Sequence, residues 1–198
     1  MASAHDVAAY ILKHRGRMTA MCLQKLLYYC QAWSLAWDGR PMFRETIRAW
    51  DDGPVIGEVF HQYRGRRVVS DAVSGSVDAL GPEDRATADA VLAFYGDKSA
   101  EWLSELTHRE RPWLDARAAG TGKGSGSPLI PHDSMREYYA GLPTGPGKQL
   151  PQALMRGLEL LVDLAPDEVP LIHEPDEDQD GKLAAWLRGD DLATRPSQ

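Results

Sequence analysis

The residues best suited to chemistry crowd near the C-terminus. DEDQDG at 176–181 puts Asp176, Asp178, Asp180 and Gly181 at positions 1, 3, 5 and 6 of a twelve-residue calcium loop, with Leu183 at position 8. Position 12 calls for a bidentate Glu and holds Leu187, and Pro166, Pro170 and Pro175 break the helix that should lead in. The run therefore reads as a solvated acidic turn. Gly120-Thr121-Gly122-Lys123 hints at a phosphate loop, but that pattern needs Gly at 117 and Ser or Thr at 124, where the chain has Arg117 and Gly124. A flexible connector fits better. The six histidines show no zinc spacing. Cys22 and Cys30 sit eight apart in a predicted helix, about 12 Å along its axis and too far for a disulfide. His108 and Glu110 are the one pair that could act as acid and base, against the simpler reading of a hydrogen-bonded helix end. The expectation is no catalytic residue, no metal and no cofactor.

Something must position these groups, and the periodicity says helices. Ser3 and Asp6 form a capping-box pattern before a helix over about 4–15. Thr19 caps a second, about 20–37, with Leu23, Leu26, Leu27, Cys30, Trp33 and Trp37 at spacings of three and four. A short strand is allowed between Phe43 and Trp50. Asp52-Gly53-Pro54 reads as a helix entry with Pro54 at the first helical position. Another short strand is expected near Val68–Val69. Gly81-Pro82, Ser99 and Pro112-Trp113 open three more helices, and Asp133 or Ser134 caps a further one. The glycines and prolines of 141–147 mark a linker. Leu150, Leu154, Leu158 and Leu161 then give an amphipathic helix over about 150–164, followed by an acidic stretch and a short last helix. The fold class is mainly α: a compact multi-helix domain over 1–140 with at most a small β element, and a helical acidic extension over 141–198, eight or nine helices in all.

Composition narrows the setting. The 198 residues hold 43% apolar and 26% charged residues, an ordinary globular balance. Net charge is −7, and it is uneven: 17 basic against 18 acidic residues in 1–140, but 5 against 11 in 141–198. Non-specific nucleic-acid binding rests on neutralising phosphates, so no nucleic-acid partner is expected. No apolar run reaches the length of a membrane span. No basic region precedes an apolar run at the N-terminus, and reduced cysteines fit a cytoplasmic protein.

One polar-aromatic group stands out. Gln24, Lys25 and Tyr28 lie beside the apolar stripe of the second helix, and Gln24 and Tyr28 share a face. Either this is the solvated side of a core helix, or it joins Trp50, Asp51, Gly53 and Pro54 in a surface for a protein partner, for which Tyr and Trp are favoured anchors. The segments LQKLLYYCQAW at 23–33, IRAWDDGPV at 47–55 and LTHRERPW at 106–113, with Ile130, Tyr138 and Tyr139 beyond, resemble the Panacea domain, the family of SocA-like antitoxins and phage-associated GepA-type proteins. The resemblance covers residues 1–140. It implies a mostly helical, non-enzymatic antitoxin that binds a toxin encoded nearby, in a bacterial or phage toxin–antitoxin system. Two other readings stay open: an adaptor that presents a partner to a protease, and an enzyme with a site around His108 and Glu110. A homo-oligomer is left open.

Overall fold

The computed structural model describes residues 1–120 and 127–142. In it, seven α-helices carry two small β ladders. Helix α1 spans Ala4–Arg15, and its capping box forms as expected: the Asp6 amide donates to Ser3 Oγ, and the Asp6 carboxylate takes the Ser3 amide in return. Strand β1, Met18–Thr19, leads into helix α2, Ala20–Asp38. Thr19 caps α2 by accepting from the Cys22 amide, and Gly39 closes it in the left-handed conformation that favours glycine. Strands β2, Ile47–Trp50, and β3, Gly53–Ile56, form an antiparallel hairpin with Trp50 opposite Gly53. Helix α3 covers Gly57–Gln62, and strand β4, Val68–Val69, pairs with β1. A 3-10 turn at Val77–Ala79 precedes α4 (Pro82–Tyr95), α5 (Ala100–Arg109), α6 (Arg111–Ala119) and α7 (His132–Ala140).

Helix α2 is the axis of the fold. It packs on α7, α4, α5, α1 and β3. Cys22 through Leu35 are buried on every side, as befits a helix wrapped by neighbours rather than laid on a core. Trp33, Tyr28, Tyr29, Tyr95 and Tyr139 supply the largest buried side chains, and Trp33 meets the Tyr139 ring edge-on at 4.9 Å. The cysteines are free and buried, both on α2.

Two expectations are corrected. Asp52-Gly53-Pro54 is not a helix entry: Gly53 and Pro54 belong to β3, Pro54 pairs with Ala49, and the helix starts at Gly57. A proline with fixed φ suits a first helical turn and a strand alike, and the turn before it, with Gly53 at φ +102°, decides for the strand. The last described helix begins at His132 with Pro131 at its N-cap, ahead of Asp133 and Ser134. The chain is already steered there by the bridge of Leu129 to Arg48 and the Ile130 amide bonded to the Ile47 carbonyl. The helix expected at 150–164, the acidic loop and the extension as a whole lie outside the described residues, as do Thr121 to Gly126 of the glycine-rich connector.

Candidate functional site

The hairpin turn between β2 and β3 is held from below by α2 and α5. Lys25 is fully buried, and its Nζ donates to the backbone carbonyls of Asp52 at 2.5 Å and Pro54 at 3.3 Å. Ser104 Oγ of α5 donates to the same Asp52 carbonyl at 2.8 Å. Gly53 lies directly over this contact. A Cβ there would stand 2.7 Å from Lys25 Nζ and 2.8 Å from Thr107 Oγ1. One residue earlier in α2, the Gln24 side chain reads β3 as a neighbouring strand would: Oε1 accepts from the Ile56 amide at 2.8 Å, and Nε2 donates to the Ile56 carbonyl at 3.4 Å. Burial pushes the Lys25 ammonium down to about 7, with the Asp52 charge pulling the other way.

The outer face of the hairpin is closed by α6. Trp113 Nε1 donates to the Trp50 carbonyl at 3.0 Å, and Arg117 donates to the Ala49 carbonyl at 3.2 Å while pairing with the Asp51 carboxylate. His108 stacks on Trp113 at 4.2 Å and hydrogen-bonds the Asp51 backbone. Burial, then the nearby Lys25 charge, hold the His108 imidazolium down to about 4. Trp50 leans on Phe60 at 4.9 Å. Trp50, Asp51, Trp113 and Arg117 remain partly exposed and form one aromatic and ionic rim.

Glu110 turns the other way. It is buried among tyrosines, taking the Tyr139 hydroxyl at 2.7 Å and the Tyr29 hydroxyl at 3.4 Å, while Tyr139 and Tyr28 touch through their own hydroxyls. Burial raises its carboxyl to about 8. His108 and Glu110 thus serve different neighbourhoods, and among the described residues no hydrogen bond joins them into the acid–base pair their spacing suggested.

The seven residues singled out in the sequence do come together, in two layers. Trp50 and Asp51 reach the surface. Gln24, Lys25, Gly53 and Pro54 form the buried bed beneath them, and Tyr28 lies deeper, in the tyrosine cluster. As side chains, Gln24, Lys25 and Tyr28 are out of a partner's reach in this structure, because backbone carbonyls, amides and aromatic rings enclose them. Sequence reasoning missed Arg117 and Ser104, which complete the arrangement. Arg117 carried a usable signal, standing four residues after Trp113 on one helical face. Among the described residues no group of three or more His, Cys, Asp or Glu is placed to hold a metal ion.

Residues 23–114 match the family model described as antitoxin SocA-like, Panacea domain. Over that stretch, 92 of the 198 residues, the chain is similar to the Panacea domain. The matched stretch opens in α2 and closes in α6, so the Panacea segment contains Lys25, the whole hairpin, Ser104, Thr107 and Trp113, whereas α1, α7 and Arg117 lie outside it. The family is an antitoxin-like one and not a known family of enzymes. No match was found among curated proteins, and none among solved structures. No helix of the described residues is long and apolar enough to cross a membrane.

Proposed function

We propose that this protein is an antitoxin that neutralises a cognate toxin by direct protein–protein binding, with the rim of Trp50, Asp51, Trp113 and Arg117 as its contact surface. The family match carries the antitoxin reading. The choice of surface rests on geometry. Tryptophan and arginine are the side chains most often found at binding hot spots. Here Trp50 and Asp51 stand on a hairpin whose turn is held by Lys25 and Ser104, and Trp113 and Arg117 of α6 clamp it from outside. A rim already held in place loses little conformational freedom on binding, which favours affinity. Gln24, Lys25, Gly53 and Pro54 act as positioning residues.

The test is co-expression with the product of the adjacent open reading frame. Growth rescue and co-purification are expected with the wild type. Asp51→Arg places like charge against Arg117 and should weaken capture at least tenfold while the protein still melts as a folded domain. Rescue undiminished by Asp51→Arg and by Trp113→Ala would move the contact surface elsewhere. Rescue that vanishes in a protease-deficient host would replace neutralisation by the adaptor reading.

A further inference from the structure

The hairpin has a third strand-like neighbour. The Ala49 amide donates to the Pro128 carbonyl at 2.8 Å and the Ile130 amide to the Ile47 carbonyl at 2.9 Å, so residues 128–130 run antiparallel along β2 with Leu129 opposite Arg48. In such a ladder the residue between two bonded neighbours turns its own N–H and C=O away from the partner strand. Leu129 is that residue, and among the described residues neither group is hydrogen-bonded. The far edge of the sheet is treated differently, since there the Gln24 amide takes both backbone groups of Ile56. Helix α6 stands on the Leu129 side: Arg117 reaches the Ala49 carbonyl, and a Cβ on Gly120 would lie 2.7 Å from the Pro128 ring. Leu129 is also 49% exposed, one of few large apolar side chains left open. It lines a groove of about 740 Å³ together with residues of α6 and α7, among them Ala116, Ala119 and Tyr138. Of the charged groups in that lining, Arg111 and Asp115 pair with each other at 3.2 Å, while Glu137 is exposed and has no cation beside it among the described residues.

We infer that this edge and groove bind one extended segment of a partner protein, an apolar strand carrying a lysine or arginine, by strand addition. The outward N–H and C=O of Leu129 take one residue of the incoming strand in a two-bond pair. The apolar lining takes its side chains, and Glu137 takes its cation. The volume suits a short segment, since sites of about 300–1,000 Å³ enclose ligands of that scale. Pro128 and Pro131 bracket Leu129 and supply no N–H, so pairing is confined to a short register and a long edge-to-edge association is opposed. That favours a single strand over a second copy of the chain. On α6, Asp115 and Ala119 of the groove lie about 200° around the helix from Trp113 and Arg117, so the groove is distinct from the rim. The inference does not depend on the antitoxin reading.

Binding of capped hexapeptides to the full chain, followed by backbone amide shifts in nuclear magnetic resonance, tests it. The probes alternate valine and threonine and carry one lysine, placed at each position in turn. The best of them should move the Leu129 amide and leave the Ile56 amide, already held by Gln24, in place. Replacing its lysine by glutamate should weaken binding about fivefold, and Glu137→Lys should invert that preference. Methylating the peptide's backbone nitrogens keeps its charge, removes its donors, and should abolish the Leu129 shift. No movement of Leu129 at millimolar peptide, equal binding of the methylated peptide, or a lysine preference untouched by Glu137→Lys would overturn the inference. So would a Leu129 shift that grows with protein concentration alone, which would give the edge to a second copy.

Discussion

Gly53→Ala separates backbone strain from collision at a single atom. At φ +102° any side chain is strained, and the new Cβ would sit 2.7 Å from Lys25 Nζ and 2.8 Å from Thr107 Oγ1. Lys25 is long and flexible in principle, but here its Nζ is pinned by two carbonyls inside the core, so retreat means losing charge-assisted hydrogen bonds. Backbone strain costs about 1–3 kcal/mol and overpacking a similar amount. A total near 3–4 kcal/mol should lower Tm by about 6–16 °C in a protein of this length. Gly65→Ala is the control. Its φ is +78° and nothing lies within 4 Å of a Cβ there, so only the conformational cost remains, about 1–2 kcal/mol. Thermal unfolding followed by circular dichroism measures both. Equal Tm losses for the two variants would refute the claim that Lys25 and Thr107 form a rigid bed under the turn.

Two further predictions concern pH. Glu110 keeps its proton to about pH 8 in the fold against an ordinary value of 4.5, so its favourable share of stability is complete below pH 4.5 and is lost as pH rises through 8. Glu110→Gln cannot titrate. Urea denaturation should therefore show the variant gaining on wild type by several kcal/mol between pH 5 and 8, and a constant gap would contradict the buried, protonated carboxyl. Lys25 has the opposite sense: its folded value of about 7 lies below the ordinary 10.5, so the unfolded chain holds the extra proton between those limits and stability rises with pH across them. Lys25→Met should remove that rise between pH 7 and 9.5, and an unchanged slope would show that Lys25 is solvated.

Local signals made much of the fold legible. Ser3 with Asp6, Thr19, Gly39 and Ser99 cap helices where their chemistry says they should, because a cap answers to backbone groups three or four residues away. Pro54 misled because its fixed φ is shared by helix starts and strands, and the deciding partner, Ala49, depends on the turn between them. The polar residues of α2 were harder. Gln24 and Lys25 suggested a solvated side to that helix, yet both are buried, since β3 and the hairpin turn arrive to satisfy them from some 30 residues away. The grouping of Gln24, Lys25, Trp50, Asp51, Gly53 and Pro54 was readable, while its division into a buried bed and an exposed rim was not. Nor was the tyrosine cage of Glu110, whose nearest hydroxyl, on Tyr139, is a product of α7 packing on α2.

The amide of Gln31 repeats the habit of Gln24: its oxygen takes the Met42 and Phe43 amides, and its nitrogen reaches the Phe43 carbonyl and the His132 ring. Gln24 and Gln31 are seven residues apart, almost two full turns, so they project from nearly the same side of α2, with Lys25 about 100° around. Three separate stretches of backbone are thus keyed to the rotational phase of one helix. Inserting or deleting a single residue between Gln24 and Gln31 would swing one set of contacts by about 100° relative to the other, leaving no loop able to compensate. Change in length therefore has to fall outside the stretch of α2 between these two glutamines.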